Sequence, residues 1–392
     1  MATPALRQEG SFATRRVETI DLASMSVGTA RSLKVFRYGA IDARPKVYIQ
    51  AALHADELPG MLAAHHLIAA LDEADRRGEI LGQIILVPVA NPIGLDQNVG
   101  GAHVGYRDLR SGGDFNRQWP DLSEGLADAV AASLTQDPAH NREVILAALQ
   151  KKLESWPDTT ERDDLRANLA GLAFDADIVL DLHCDDEALL HVYTMPQHWP
   201  QAADLTAELE AAACLLCDDS GGNCFDETFS LPWTRLQKHF AGRLPIPAAC
   251  FSATVELRGQ AAVFDDLALK DAAGLLRFLR RRNIVAGSPP DSERPSCAGT
   301  ALDAMDVVAA PAAGIVAYHV ALGDRVEQGQ VVAEIVNPLA DDPAAARIAM
   351  RAATAGVVIS RCIKKLAAPG DGILMIVGQQ ALAYRQVKLM TD

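Results

Sequence analysis

Positive charge is scarce in this chain of 392 residues. Lysine and arginine number 36 against 51 aspartate and glutamate residues, which gives a formal net charge of −15 at pH 7. Such an excess of negative charge opposes binding to the phosphates of nucleic acids and to anionic membrane surfaces. The composition therefore argues against nucleic-acid and membrane partners.

A long apolar run is also missing. The longest nearly apolar stretch, residues 307–322, is interrupted by Pro311, Gly314 and His319 and is too short to span a bilayer. Residues 1–22 lack the apolar core of a secretory signal. The seven cysteines are an odd number, which favours reduced thiols over a set of disulfides. We therefore expect a soluble cytoplasmic protein, with its oligomeric state, a homo-oligomer included, left open.

Lysine is absent between Lys270 and Lys364, a region in which the character of the sequence changes. Residues 286–300 are rich in Pro, Ser and Gly, which is typical of a linker. The sequence therefore predicts two domains, residues 1–285 and residues 301–392, on either side of this linker.

The second predicted domain consists of short β-type runs in two imperfect halves, with Gly314 aligned to Gly356. This internal repeat is similar to the all-β barrel-sandwich domain of biotinyl and lipoyl carriers. A carrier needs a lysine between its halves to receive the acyl group, and this chain has none there. We therefore predict a lipoyl-like domain without a carrier lysine, which walls off the cleft of the first domain.

The first predicted domain alternates between strands and helices. Residues 46–53 and 83–90 are apolar runs that predict buried strands, and the segment between them predicts a helix from about residue 59 to 77. This order is a βαβ unit with parallel strands. Helices are also predicted within residues 122–172 and from about residue 201 to 216. The pattern is that of an α/β fold.

His54 and Glu57 follow the first buried run, and His183 follows another apolar run at residues 178–182. Open α/β sheets place their chemistry at the carboxyl ends of such strands, so we expect the three side chains at one sheet edge. Two histidines and one glutamate form a ligand set of catalytic zinc sites. Taken alone, a histidine at a strand end is more often a surface or hydrogen-bonded residue. Asp181, on the same strand face as His183, either orients that ligand or meets backbone or solvent.

A glycine-rich loop leads into a second polar cluster. The loop contains Arg107 and Arg110, and Asp114, Asn116 and Arg117 follow it. A guanidinium group presents a fork of donors matched to a carboxylate, so Arg117 beside the amide of Asn116 suits a substrate acid group. The alternative is a solvated loop with ordinary salt bridges.

Glu256 stands near the end of a further strand-like run that stops at Gly259. A carboxylate near a metal ion can take a proton from bound water, a contribution of about 10²- to 10⁴-fold in rate. The alternative is an isolated glutamate that faces solvent.

The order of these elements resembles the succinylglutamate desuccinylase and aspartoacylase branch of the zinc carboxypeptidase superfamily. The resemblance spans most of residues 45–260. It rests on an ordered set of motifs: His54 with Glu57, Asn91 with Pro92, Asp114 to Arg117, Asp181 to His183, and Glu256. The family pattern usually has Gly directly after the first histidine, where this chain has Ala55.

The resemblance implies a zinc-exopeptidase-like mixed central sheet flanked by helices. It also implies one zinc ion per chain, held by three ligands, which are His54, Glu57 and His183. Glu256 would be the general base and acid, and Asn116 and Arg117 would hold the substrate carboxylate. An upstream arginine would stabilise the oxyanion: Arg110 is favoured over Arg107, which is assigned to substrate binding, and the sequence leaves the choice between the two open.

The resulting prediction is a zinc-dependent hydrolase that removes the acyl group from a small carboxylate-bearing amide, such as an N-acyl amino acid. A metallocarboxypeptidase that acts on peptide C-termini would use the same groups in a more open cleft. An inactive ligand-binding protein is the alternative of another class. The acyl group, the amino acid and any contribution of a tyrosine are left open.

Overall fold

Residues 14–156, 159–289 and 297–385 are described by the computed structural model of the chain. Residues 290–296 of the predicted linker therefore lie outside the described residues. Up to residue 285 the described elements are strands and helices, as in an α/β fold. Beyond it they are strands and one short 3-10 helix, Leu302–Ala304.

A nine-stranded mixed sheet forms the centre of the molecule. The strands up to residue 301 are β1 (Arg16–Asp21), β2 (Ser32–Tyr38), β3 (Lys46–Ala51), β4 (Gln83–Val87), β5 (Asn98–Val99), β6 (Ala102–His103), β7 (Ile178–Asp185), β8 (Glu187–Ala188), β9 (His191–Thr194), β10 (Ala213–Leu216), β11 (Phe251–Gly259) and β12 (Gly299–Ala301). The sheet order is β1-β2-β4-β3-β7-β11-β9-β10-β12. The central strands β4, β3, β7 and β11 are parallel, and their carboxyl ends therefore meet at one edge.

Helices cover both faces of this sheet. They are α1 (Leu58–Arg76), α2 (Pro92–Leu95), α3 (Leu126–Val130), α4 (Pro138–Glu154), α5 (Glu161–Ala173), α6 (Trp199–Leu209), α7 (Phe225–Phe240) and α8 (Asp265–Arg281). One hydrophobic core contains side chains of α1, α6 and α8, and another contains side chains of α3, α4, α5 and α7. In the described part of the chain, none of the helices combines the length and the apolar character that a bilayer-spanning segment needs.

Helix α1 connects β3 to β4 and confirms the predicted βαβ unit. Ala63, Leu67 and Leu71 recur every four residues and are fully buried, so one stripe of the helix packs on the sheet. A Cβ at Gly60 would lie 2.9 Å from the carbonyl oxygen of Leu182. Glycine at this position therefore allows the first turn of α1 to approach β7 closely.

The helix predicted from residue 201 to 216 is wrong in its second half. Helix α6 ends at Leu209, and Glu210 adopts a left-handed conformation with φ of 55°. Ala213–Leu216 then forms β10, which pairs with β9 on one side and β12 on the other. A short apolar run fits a buried strand as well as a buried helix, and here sheet pairing decides. Helix α7 was not predicted, and it contains Pro232.

The strands after residue 304 form two antiparallel sheets. They are β13 (Met305–Ala309), β14 (Gly314–Tyr318), β15 (Arg325–Val326), β16 (Val331–Val336), β17 (Arg347–Arg351), β18 (Gly356–Arg361), β19 (Leu366–Ala367) and β20 (Gly372–Val377). The aligned glycines of the internal repeat occupy equivalent places. A Cβ at Gly314 would lie 2.6 Å from the carbonyl oxygen of Val336, and one at Gly356 would lie 2.3 Å from that of Val377. The barrel-sandwich assignment and the domain boundaries stay predictions.

Candidate active site

His54, Glu57 and His183 meet at the carboxyl ends of β3 and β7. His54 follows β3, Glu57 directly precedes α1, and His183 lies near the end of β7. All three are buried, and one donor atom from each lies within 4.8 Å of the others. Nδ1 of His54 is 2.8 Å from Oε1 of Glu57, and Nδ1 of His183 is 2.8 Å from Oε2. Two imidazole nitrogens and a carboxylate thus form a cluster that can hold a metal ion.

The turn that carries His54 is held from outside. The side-chain amide of Asn91, the first residue of the Asn-Pro motif, donates to the carbonyl oxygen of Leu53 at 2.8 Å. Ala55 stands where the resembled family usually has Gly, and its N–H donates to the carbonyl of Gly105 at 3.1 Å. A Cβ at Gly105 would lie only 2.9 Å from the Ala55 methyl group. The alanine is therefore accommodated by a glycine in the opposing loop.

A buried aspartate stands behind each histidine. Nε2 of His54 is 2.9 Å from Oδ1 of Asp114, and Nε2 of His183 is 3.0 Å from Oδ2 of Asp181. Oδ1 of Asp181 in turn accepts a hydrogen bond from the amide of Gln50 at 3.0 Å. Carboxylates in this position fix the tautomer and the ring orientation of a metal-binding histidine. Two alternatives were predicted for Asp181, and the structure shows the one in which its carboxylate contacts His183.

The charged groups of the cluster shift one another's pKa values. Burial alone would raise the pKa of Glu57, but the facing imidazoles of His183 and His54 lower it to about 2. Burial alone would lower the pKa of His183, but Asp181 and Glu57 raise it well above its usual value. The surroundings of both rings therefore favour positive charge, whether it comes from protons or from a metal ion.

A cavity of about 370 Å³ opens onto the cluster, a size suited to a small molecule. The predicted site residues that line it are His54, Glu57, Asn116, Arg117, His183 and Glu256. Leu302 and Met375, from the C-terminal part of the chain, also line it. Strand β8 pairs with β18 beside it. The C-terminal strands therefore border the cavity.

The loop with Asn116 and Arg117 is tied down by Arg166 of α5, a residue that sequence reasoning missed. This buried guanidinium donates to the carbonyl oxygens of Asp114, at 3.1 Å, and Arg117, at 2.6 Å. Oδ1 of Asn116 accepts the N–H of Phe225 at 2.8 Å, at the start of α7. The fold thereby fixes the two side chains that sequence reasoning assigned to a substrate carboxylate.

Glu256 of β11 lies in register with His183 of β7, so its carboxyl group reaches the same cavity. Burial raises the pKa of Glu256 well above its usual value; the charge of His183 opposes this rise, and Glu57 adds to it. Within the described residues, the buried Oε2 atom of Glu256 has no hydrogen-bond partner. This carboxyl group is therefore poised to hold or release a proton.

Arg107 and Arg110 are exposed and are not among the described residues that line this cavity. Arg110 lines a second cavity, and a side-chain nitrogen of Arg107 lies 3.4 Å from the carbonyl oxygen of Gly112. Both arginines thus lie apart from the His54, Glu57 and His183 cluster in this structure, and their assignment to the oxyanion and the substrate stays a prediction. Their neighbour Tyr106 does line the cavity, with its ring stacked on His54 at a centroid distance of 3.8 Å. The sequence signal that could have identified Tyr106 was its position in this glycine-rich loop, directly before Arg107.

Comparisons with known proteins bear on this site. Residues 43–155 match the model of the succinylglutamate desuccinylase/aspartoacylase catalytic domain. A candidate protein of that family from Shewanella frigidimarina has a similar structure, with a TM-score of 0.79 at 24% sequence identity over 93% of this chain and 98% of the other. The resemblance to this family is confirmed.

Two further structures share the fold. A candidate succinylglutamate desuccinylase/aspartoacylase family protein from Shewanella amazonensis gives a TM-score of 0.79 at 24% identity, covering 92% of this chain and 98% of its own. The product-bound ectoine utilization protein EutE (DoeB) of Ruegeria pomeroyi gives 0.63 at 17% identity, covering 95% and 98%. No curated protein matches the sequence. At these identities the similarity to desuccinylase/aspartoacylase structures is one of fold.

The aspartate behind His183 gives a first prediction for this desuccinylase/aspartoacylase-like site. Asp181→Asn keeps the side-chain volume but replaces one carboxylate oxygen with an NH₂ group. In one orientation this group faces Nε2 of His183, and in the other it faces the side-chain amide of Gln50, which is itself a donor. We expect the affinity for zinc to fall about 10- to 100-fold, the usual effect of losing such a partner. Competition against a chromogenic chelator measures it. Asp128→Asn, an exposed change on α3, is the control; equal affinities in both variants would contradict the role of Asp181.

Proposed function

We propose that the chain is a zinc-dependent amidohydrolase that removes the acyl group from a small N-acyl amino acid or a related carboxylate-bearing amide. The observation that carries this proposal is the convergence of His54, Glu57 and His183 with Glu256 in one cavity. Two imidazole nitrogens, one carboxylate oxygen and the aspartates behind the rings fit the donor preference of zinc. These three ligands would hold one ion per chain.

Zinc held by His54, Glu57 and His183 would lower the pKa of a water molecule and polarise the scissile carbonyl. Glu256 accepts the proton of the attacking water and delivers it to the nitrogen of the leaving amine. Its buried position and raised pKa support both halves of this role, because the carboxyl group can retain the proton between the two transfers.

Arg117 and Asn116 orient the substrate through its carboxylate. Nη1 of Arg117 donates to the carbonyl oxygen of Asn116 at 3.0 Å, which couples the two residues in one loop. The amide nitrogen of Asn116 is 3.3 Å from Nε2 of His183. A substrate carboxylate bound by this loop therefore places the scissile amide of the same substrate close to the metal-binding residues. Positioning of this kind can account for several kcal/mol of a reaction barrier.

The side chains of Leu302, in the short 3-10 helix, and Met375, in β20, border the cavity from the C-terminal part of the chain. Their position supports small substrates over peptides. A metallocarboxypeptidase needs an opening for a polypeptide. The fold likeness to desuccinylase/aspartoacylase structures points the same way.

The test is metal analysis of the purified protein together with a panel of substrates. We expect one zinc ion per chain and hydrolysis of N-acetyl or N-succinyl amino acids faster than cleavage of C-terminal peptide bonds. Faster peptide cleavage would instead identify a carboxypeptidase. Bound zinc without turnover of any acyl amino acid or peptide would identify an inactive ligand-binding protein.

A further inference from the structure

The cavity at the metal cluster has an apolar part in addition to its catalytic groups. Five residues line this part, and we call them the apolar wall: Tyr193, Leu215, Cys217, Leu302 and Met375. They belong to one hydrophobic cluster, in which Leu215 and Leu302 are buried and the other three side chains are partly buried. All five lie outside residues 43–155, which match the family model, and none has a role in the proposed reaction.

The pairing of the central sheet shows where the apolar wall lies. Thr254 of β11 pairs with Tyr193 of β9, and Tyr193 pairs with Leu215 of β10. Paired residues of neighbouring strands point to the same face of a sheet, so these three side chains form one row. Glu256 lies two residues after Thr254 and shares this face. The cavity floor therefore extends from Glu256 across two strand spacings, about 10 Å, to the apolar wall.

The apolar wall is within reach of the arginine assigned to the substrate carboxylate. Nη1 of Arg117 is 3.5 Å from Sγ of Cys224, and this sulfur is 3.7 Å from the hydroxyl oxygen of Ser220. Ser220 lies in the loop that follows β10, three residues after Cys217, and all four residues line the cavity. A ligand whose carboxylate contacts Arg117 therefore has its neighbouring atoms close to the apolar wall.

The proposed reaction indicates which part of the substrate faces this wall. Glu256 delivers a proton to the leaving amine, and Arg117 binds the carboxylate of the same amino acid. The side chain is attached to the carbon atom between that amine and that carboxylate, so it occupies the same region of the cavity. The row of residues that begins beside Glu256 and ends at the apolar wall is the surface available to it.

The charges around the cavity favour an uncharged side chain. Among the described residues that line it, Arg117 is the one arginine and lysine is absent. A second substrate carboxylate would therefore lose its hydration without gaining a cation, which is costly. Two acidic lining residues, Asp226 and Glu227, are hydrogen-bonded to Thr254 and to the N–H of Ser220, so they are partnered without a substrate cation.

We propose that the apolar wall binds the side chain of the leaving amino acid, so that the preferred substrate is an N-acyl amino acid with one carboxylate and an apolar side chain. This inference rests on the proposed function and narrows its substrate class. Arg117 and Asn116 contact the carboxylate. Tyr193, Cys217 and Met375, the partly exposed members of the wall, contact the side chain. Substrates with a second carboxylate, such as N-acetylaspartate, are disfavoured.

The first measurement compares kcat/KM of the zinc-loaded enzyme for N-acetyl amino acids of matched size. The side chains of leucine and aspartate are equal in non-hydrogen atoms, as are those of norleucine and ornithine. We expect leucine to exceed aspartate and norleucine to exceed ornithine by about 10-fold or more, because a single methylene group in a hydrophobic pocket is worth about 10- to 200-fold. A preference for aspartate or for ornithine would overturn the proposal.

A charge placed in the apolar wall tests the contact directly. Met375→Lys should lower the ratio of leucine to aspartate at least about tenfold, because it offers a cation to the second carboxylate. Ile348→Lys is the matched control and should keep the ratio, since Ile348 is exposed on β17 and is not among the described lining residues. The same ratio in both variants would contradict a contact between the wall and the side chain.

The second measurement does not depend on turnover. Calorimetry of the zinc-loaded protein should show tighter binding of free leucine than of free aspartate. Met375→Ala, which also serves if the lysine variant does not fold, should weaken the binding of leucine. Equal or tighter binding of aspartate, or leucine binding that is unchanged in Met375→Ala, would overturn the proposal. If no acyl amino acid is hydrolysed while leucine binding depends on Met375, the proposed function fails and the apolar wall stands as a binding site.

Discussion

Replacing His54 with alanine is expected to remove the metal ion and to reduce amide hydrolysis to the background rate. His54 contributes one of the three donor atoms that lie within 4.8 Å of one another. Loss of a residue that hydrogen-bonds to a metal ligand already lowers metal affinity by about 10- to 100-fold. Loss of the ligand itself should therefore lower the affinity further. Hydrolytic enzymes accelerate their reactions by about 10⁶-fold or more, so the expected fall in kcat/KM is of that order.

The measurement is zinc content after dialysis, together with kcat/KM for the best acyl amino acid. His65→Ala is the matched control, because His65 lies on the exposed side of α1, close in sequence to the metal cluster. We expect it to keep both zinc and activity. If His54→Ala retained a full zinc content and the activity of the control, the three-residue metal site would be wrong.

Replacing Glu256 with glutamine is expected to lower kcat/KM about 10²- to 10⁴-fold with zinc content unchanged. The side chain keeps its length but no longer accepts a proton from water. Glu256 is not in the His-Glu-His cluster, so the metal ion should remain. A fall in kcat/KM without a loss of zinc distinguishes a proton-transfer residue from a metal ligand, because replacing a ligand would lower both.

Glu210→Gln serves as the control for this change, since Glu210 forms an exposed ion pair with Lys270. Thermal unfolding and zinc content should be alike in the two variants. A Glu256→Gln enzyme with activity within about threefold of the parent protein would remove Glu256 from the proposed reaction.

The strands that carry the site could be predicted from the sequence. β3 and β7 are mainly apolar runs, because both faces of a central parallel strand are covered by helices. Their polar ends therefore stand out, and His54, Glu57 and His183 were found from them. The motif with Asn116 and Arg117 was found from its residue types, and the fold brings it to the same cavity.

Other features could not be predicted, because they depend on neighbours distant in sequence. The apolar run Ala213–Leu216 is a strand because β9 and β12 flank it. Arg110 was assigned from the family resemblance, yet the loop turns it to the surface and brings Tyr106 against His54. The direction of a loop side chain depends on turn geometry that residue types alone do not specify.

The sequence by itself determined which residues can bind a metal ion and which strands present them, because apolar runs and donor chemistry are local properties. Only the tertiary structure decided which carboxylate stands behind each imidazole and that Arg166 anchors the loop that carries Asn116 and Arg117. The physical reason is that burial and electrostatic pairing arise when segments separated by tens to hundreds of residues pack together. The energies of these interactions depend on distances between atoms of different segments, and a local stretch of sequence does not specify those distances.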